Sequence, residues 1–279
     1  MLIRKSYGPV IQFKMARSIL KKPLYFTAAY LFGELLIDTG CARTSREFLW
    51  AIQHLSIQEV VITHSHEDHF GAAGNLKVER GFPVKAHPDA IVILAEPQLL
   101  KLRWFQRQFW GTPDPIEAEV LGDVLEVENR IFEVIETPGH SPDHIVLFER
   151  ESGFLFSGDV VVGSLDLAIR ADFDIWGILD SLKKLQTLES SIIFSGSGRV
   201  IKHPRTVLTG HIARIETQLA KVKDEFENGQ SQKEIIARIH REAKKDGHNL
   251  RWVELITRKH VSTENLVRSI LSSYCSKDE

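Results

Sequence analysis

The sequence predicts an α/β protein whose chemically active residues follow its strands. Three observations support this prediction. Apolar, β-branched runs end in polar or glycine-containing turns, segments with helical spacing of apolar residues separate these runs, and the chain from residue 211 onward has a helical pattern. Because strand ends gather at one edge of a layered α/β fold, polar residues that follow different strands are expected to meet there.

Length and composition describe an ordinary globular chain. It has 279 residues, a hydrophobic fraction of 43% and a formal net charge of −2. The hydrophobic fraction excludes disorder of the whole chain, and the small net charge gives no global attraction to nucleic acid or an anionic membrane. The two cysteines form no disulfide framework, and the sequence has no signal-type apolar segment and no run long enough to cross a bilayer. We therefore expect a cytoplasmic protein with no membrane partner.

The first strands lead to a candidate aspartate. Strands are expected at residues 10–13, 25–31 and 34–37, followed by a helix at 44–54. Asp38 ends the third strand and precedes a Thr-Gly turn. We expect it either to orient a metal-binding histidine or, as a turn residue, to accept backbone N–H bonds.

The densest group of polar residues follows the next apolar strand. Residues 63–69 include His64, His66, Asp68 and His69. Imidazole and carboxylate are ligands that borderline divalent metals prefer. In an extended loop His64 and His66 point the same way, whereas Asp68 and His69 turn with the chain. The segment could therefore hold two metals, or one metal and a water molecule.

A second polar group follows later strands. The pattern predicts strands at 120–127, 131–136, 145–148 and 154–156. His140 and His144 lie in the turn between the second and third of these strands, and Asp159 follows the fourth. Strand ends at one edge would bring His140 and Asp159 to the first cluster.

An aromatic and basic segment at residues 95–115 interrupts the strand pattern. It contains Trp104, Phe105, Phe109 and Trp110 among lysine and arginine residues. The aromatic side chains could be buried by an amphipathic helix, or they could cap a substrate cleft whose arginines meet an anion. Both interpretations remain open at this stage.

A helix at 174–188 and a strand at 191–194 precede the turn that contains Ser197. His211 is expected to start a helical region extending to residue 279. Its nearly balanced charges give weak support for nucleic-acid binding. Packing on the main domain and formation of a homodimer are the alternatives for this region.

Five motifs occur in an order that resembles the metallo-β-lactamase-fold hydrolases: Asp38-Thr39-Gly40, the histidine cluster, Pro138-Gly139-His140, Ser157-Gly158-Asp159 and the Ser197 turn. The resemblance implies a four-layer αββα sandwich at residues 1–210. Residues 211–279 would form a small helical C-terminal extension, similar to the winged-helix-like tails of some members.

The resemblance also implies the roles of the polar residues. His64, His66 and His140 would bind a first metal, while Asp68 and His69 would bind a second, with Asp159 bridging the two. Asp68 and His144 would be catalytic. Asp68 would orient the nucleophile, and His144 would contact the oxyanion or the leaving group.

Ser197 departs from the family pattern, which usually has histidine at this position. Hydroxyl is a weaker zinc ligand than imidazole. We therefore expect a weak or labile second metal site, and we consider His203 and His211 as replacement ligands.

The function that follows is hydrolysis of an ester, thioester or phosphodiester bond by a zinc-bound hydroxide, with one or two zinc ions. The expected partner is a small-molecule substrate, and RNA is an alternative. Iron and manganese are alternative metals. A mononuclear iron oxygenase of the same fold and a weakly active binding or regulatory protein are the competing functions.

Overall fold

The computed structural model describes residues 1–19, 22–23, 25–162 and 167–275. These residues form two compact units. The first unit comprises residues 1–137, 142–159 and 189–204, and the second comprises residues 138–141, 160–188 and 205–279, within the described ranges.

The first unit contains a seven-stranded mixed sheet. Its strands, in spatial order, are β1 (Leu2–Tyr7), β2 (Val10–Met15), β5 (Thr27–Phe32), β6 (Leu35–Ile37), β7 (Glu59–Ile62), β8 (Val84–Ala86) and β9 (Glu119–Val120). The short strands β3 (Ser18–Ile19) and β4 (Lys22–Pro23) pair separately. Strands β6, β7, β8 and β9 pair in parallel with one another in that order, whereas β6 pairs antiparallel with β5. The carboxyl ends of β6 and β7 therefore lie side by side.

A six-stranded sheet completes the β-structure of this unit. Its strands, in spatial order, are β10 (Val124–Val127), β11 (Arg130–Glu136), β12 (Ile145–Glu149), β13 (Phe154–Phe156), β15 (Ile192–Phe194) and β16 (Val200–Ile201). Strands β13 and β15 are parallel and in register. Consequently, the turn that contains Asp159 and the turn that contains Ser197 follow adjacent strand ends.

Aromatic side chains fill the space between the two sheets. Phe32 contributes from the first sheet, and Phe132, Phe156 and Phe194 contribute from the second. The Phe32 and Phe132 rings meet edge to face, while Phe156 and Phe194 are stacked at 5.1 Å. These buried faces explain why the apolar runs were recognisable as strands.

The other face of the seven-stranded sheet is covered by helices. They are α1 (Ser45–Ile52), α2 (Ala73–Arg80) and α3 (Pro88–Ala95), and α4 (Trp104–Phe109) follows them in the chain. Phe48, Ile52, Leu76 and Leu94 from three of these helices join one core with the sheet residue Phe13. The helical spacing of apolar residues thus produces a helix layer on the sheet.

The second unit is mostly helical. Its elements are β14 (Ile169–Arg170), α5 (Ile175–Gln186), α6 (Pro204–Glu227), α7 (Gln232–Lys245), α8 (Leu250–Ile256), β17 (Val261–Ser262) and α9 (Thr263–Cys275). Pro204, the first residue of α6, is assigned to the first unit. The short strands β14 and β17 pair antiparallel. Among the described residues, no helix has both the length and the apolar character required to cross a bilayer.

Several elements differ from expectation. The single strand predicted at 120–127 is two strands, β9 and β10, which belong to different sheets. Strand β1 was not predicted, since its pattern is mostly exposed and carries charged residues. The last part of the chain turns helical at Pro204, seven positions before His211. Proline suits the first turn of a helix because the missing N–H has no intrahelical partner there. The predicted domain boundary at residue 210 stays a prediction.

Candidate metal centre

Backbone pairing fixes the histidine loop beside the end of β6. Thr39 N donates to His69 O at 2.7 Å, and Gly71 N donates to Gly40 O at 2.8 Å. The loop is almost completely buried. Its imidazole side chains are therefore held by both the preceding strand and the neighbouring turn.

His64 and His66 lie next to each other, as the alternation of an extended loop predicts. The His64 Nε2 and His66 Nδ1 atoms are 3.0 Å apart. The other ring nitrogen of His64 lies 3.0 Å from Thr63 Oγ1. This leaves Nε2 of His64 as the atom that faces the cluster.

A second set of donors joins His64 with His69 and Asp159. One ligand atom from each residue lies within 4.8 Å of the others. His69 Nε2 is 3.5 Å from Asp159 Oδ2, and this buried nitrogen has no hydrogen-bond partner among the described residues. The structure thus brings together three predicted ligands from two strand ends about ninety positions apart in sequence.

Asp38 contacts His69 and also accepts a backbone N–H bond, so the contacts of both roles expected for it are present, whereas metal binding by His69 stays a prediction. Its Oδ2 lies 2.8 Å from His69 Nδ1, while its Oδ1 accepts from Thr63 N at 2.8 Å. Burial opposes a charge on His69, but Asp38 and Asp159 together raise the pKa of its imidazole well above the ordinary value. A hydrogen bond at Nδ1 directs Nε2 toward the cluster.

His144 supports Asp159 through the backbone. Its Nε2 accepts from Asp159 N at 3.0 Å, and its Nδ1 lies 2.7 Å from Thr137 Oγ1. An accepting Nε2 requires the proton to be on Nδ1, which donates to the threonine hydroxyl. Burial lowers the pKa of His144 to about 4, so the ring is neutral at pH 7.

Two further predicted site residues are placed by different contacts. Asp68 is buried in the histidine loop, and its backbone carbonyl accepts from Thr27 Oγ1 at 2.8 Å. His140 belongs to the second unit, where its ring lies 4.3 Å from that of Phe173. Its turn comprises residues 138–141. The roles of Asp68 and His140 as ligands, and of Asp68 and His144 in catalysis, stay predictions.

The Ser197 turn follows β15 and reaches the cluster through a glycine. Gly196 N donates to Gly158 O at 2.7 Å. A Cβ atom at Gly196 would lie 2.3 Å from Asp159 Oδ1 and 2.6 Å from His69 Cε1. Ser197 Oγ instead lies 2.9 Å from Ser195 Oγ.

Neither of the two candidate replacements for the missing histidine belongs to a cluster of metal-ligand donors among the described residues. His203 is exposed, directly before α6, and His211 is buried within that helix.

Sequence reasoning missed a link between α4 and the histidine loop. Gln106 Nε2 donates to Glu67 Oε1 at 2.7 Å, and both side chains are buried. The aromatic segment is divided, since Phe105 is buried whereas Trp104 is exposed. The glutamine within an aromatic run was the only local sign of a buried polar contact. Its partner could not be identified from sequence because Glu67 is 39 positions away.

The fold and the clustered imidazole and carboxylate donors define an α/β protein able to bind a metal. The profile of the Metallo-beta-lactamase superfamily matches residues 24–197. The chain therefore belongs to this superfamily, as the five motifs indicated.

Comparison with solved structures confirms the fold class. A beta-lactamase domain protein from Burkholderia ambifaria has a TM-score of 0.68 with 20% identity, covering 98% of this chain and 89% of that one. The likeness extends over the C-terminal helices. The α/β metallo-β-lactamase fold with a helical C-terminal region is thus confirmed.

Two curated relatives have activities in their names. The Atrochrysone carboxyl ACP thioesterase of Aspergillus fumigatus is 29% identical over 75% of this chain and 62% of its own length. The hydroxyacylglutathione hydrolase GloC of Haemophilus influenzae is 29% identical over 52% of this chain and 70% of its own length. The chain therefore spans less than two thirds of the Aspergillus relative that it matches.

The described donors fit a divalent metal. His69 Nε2 is buried, has no hydrogen-bond partner among the described residues and lies near a carboxylate oxygen. Gly196 keeps side-chain atoms out of the space beside these two groups. Nitrogen and oxygen donors with such support are typical of sites for zinc and similar ions.

Proposed function

We propose that this protein is a cytoplasmic, zinc-dependent hydrolase that cleaves a thioester bond in a small molecule. The observation that carries the proposal is the orientation of His69 by Asp38, which directs a buried Nε2 toward Asp159. The names of the two curated relatives, one a thioesterase and one a hydroxyacylglutathione hydrolase, support hydrolysis and favour a thioester.

We assign the metal-binding roles by the family motifs. His64, His66 and His140 would hold one metal. His69 and Asp68 would hold a second, and Asp159 would serve both. A divalent metal bound there supplies Lewis acidity and lowers the pKa of water to about 7.

The remaining chemistry belongs to the protein's own side chains. Asp68 would orient the attacking water and accept its proton, since a carboxylate is a suitable general base when placed within hydrogen-bond reach. The neutral His144 ring positions Asp159 through the backbone N–H. Asp38 accepts the Nδ1 proton of His69, which leaves Nε2 as the ring atom that would bind a metal.

Ser197 makes the two metal sites unequal in this proposal. Its hydroxyl pairs with Ser195 and is a weak zinc ligand compared with imidazole. We expect Ser197→His to raise the second metal's occupancy, with Ser197→Ala as the control. Unchanged metal content in the histidine variant would contradict a second site limited by this residue.

The primary test is metal content per chain, measured by elemental analysis after purification without chelators or added metal. One to two zinc ions would support the proposal, and His69→Ala should reduce the content whereas the exposed His54→Ala should not. Predominant iron would instead favour the oxygenase alternative. An assay of acyl-thioester hydrolysis, with the released thiol as the measured product, tests the substrate class. Turnover of a phosphodiester but not of a thioester would overturn the thioester assignment.

A further inference from the structure

A cleft in the second unit is lined by arginine, lysine and histidine side chains. Its volume is about 490 Å³, and its lining includes Arg241, Lys244, His248 and Arg251. Among the described residues that line this cleft, none carries a carboxylate. The volume lies within the range of sites for small organic ligands, about 300–1,000 Å³.

The spacing of residues along α7 creates this surface. Ala237, His240, Arg241 and Lys244 recur at intervals of three, one and three positions, and therefore share one helix face. Ala237 is small and leaves space between the longer side chains. The opposite face is apolar, with Ile239 among its buried residues.

The turn after α7 brings one cation of the next helix, Arg251, to the cleft. Gly247 has a φ of 83° and ends the helix, with its N–H donating to Lys244 O at 3.2 Å. His248 N donates to Ala243 O at 2.8 Å. Because the chain reverses tightly there, Arg251 of α8 lies on the same cleft as Arg241.

Ion pairing differs sharply between the two sides of α7. Arg238 contacts Glu225 and Glu242. By contrast, neither Arg241 nor Lys244 forms an ion pair with a residue in the described part of the chain, and the same holds for Arg251.

The nearby carboxylates do not line the cleft, although one of them, Glu254, contacts the lining residue His240. Glu254 lies 3.0 Å from His240 Nε2 and also accepts from Thr263 N. Glu242 and Asp246 line a different cleft. Like charges that converge without a carboxylate repel one another, and a bound anion would relieve that repulsion.

We propose that this cleft binds a small organic phosphate of about nucleotide size. The guanidinium groups of Arg241 and Arg251 present forked donors that match phosphate oxygens, and Lys244 adds a point charge. The site shares no residue with the candidate metal centre, and the proposal does not depend on the proposed hydrolysis.

Calorimetric titration of the full chain with ADP at low salt tests the proposal. ADP should bind, and adenosine, which lacks phosphate, should not. Arg241→Ala combined with Lys244→Ala should weaken ADP binding at least about tenfold, with the fold checked by circular dichroism. Lys233→Ala combined with Lys245→Ala, which removes two exposed cations of the same helix outside the cleft, should leave it unchanged.

Three results would overturn the proposal. One is the absence of ADP binding by the unmodified protein, and another is equal binding by the cleft variant, as expected if ADP occupied the metal centre. The third is selective binding of single-stranded RNA with a steep dependence on salt, because this would identify a polymer surface.

Discussion

Gln106 Nε2 donates to Glu67 Oε1 at 2.7 Å, joining α4 to the residue between His66 and Asp68. The same amide is oriented from its other end, since Gln106 Oε1 accepts from Arg103 N at 2.9 Å. Helix α4 is therefore attached to the histidine loop by a buried polar contact.

Removal of this contact should destabilise the protein. Gln106→Leu leaves a buried carboxylate oxygen of Glu67 without its donor, so we expect the free energy of unfolding to fall by about 1–3 kcal/mol. Urea denaturation measures the change. Gln108→Leu, at an exposed position of the same helix, is the control, and equal destabilisation by both variants would contradict the assigned role.

Asp38→Asn should weaken metal binding while preserving the backbone. Asp38 has a φ of 58°, a conformation that asparagine also tolerates. Its two oxygens accept from Thr63 N and His69 Nδ1, whereas an asparagine has one acceptor oxygen for these two donors. We expect metal affinity to fall about 10- to 100-fold.

Competition with a chromogenic chelator measures the affinity of the Asp38→Asn variant. The exposed Asp114→Asn provides a control for loss of one carboxylate. A metal affinity equal to that of the unmodified protein would show that Asp38 does not support metal binding.

Gly196→Ala should disturb the cluster directly. The added Cβ would lie within 2.6 Å of both Asp159 and His69, closer than van der Waals contact permits. We expect reduced metal content and a loss of about 1–3 kcal/mol in the free energy of unfolding. Gly122→Ala is the matched control because a Cβ there meets no atom within 4 Å. Normal metal content in the Gly196 variant would show that the site has room for the methyl group.

Cys41 should react slowly with alkylating reagents in the folded protein. Burial raises the pKa of its thiol, with the Thr44 hydrogen bond acting in the opposite direction. Alkylation requires the thiolate, so increasing the pH to 9 should accelerate labelling far less than for an ordinary thiol. Peptide mapping after iodoacetamide treatment of native and urea-unfolded protein measures the difference. Equal rates in the two states would show that the thiol is accessible.

The same shift has a consequence for stability. Because burial raises the pKa of the Cys41 thiol in the folded state, unfolding releases a proton at alkaline pH. The stabilising contribution of the neutral thiol to the free energy of unfolding is therefore fully present below the thiol's ordinary pKa and is lost as the pH rises from there through the folded-state pKa.

Local sequence was sufficient to predict the histidine loop, and it placed Asp38 at a strand end with two possible roles. His64 and His66 have the alternation of an extended segment, and Asp38 follows a strand parallel to the one that precedes them. Parallel neighbours place such residues at one edge, so the prediction needed only strand ends and ligand chemistry.

Contacts that depend on packing could not be derived in this way. Glu67 and Gln106 are 39 positions apart and belong to different elements, and neither has a distinctive local pattern. The need for glycine at position 196 also arises from atoms of Asp159 and His69, which no spacing rule locates. Propensity describes short segments, whereas these contacts depend on tertiary structure.

The cluster that joins His64 and His69 with Asp159 has a consequence for biosynthesis. A nascent chain carries both imidazoles long before the ribosome has added the carboxylate. Residues 189–197, which supply β15 and the Gly196 turn, are synthesised later still. A metal that needs all three donors would therefore bind only after most of the chain has been synthesised and this long-range contact has closed.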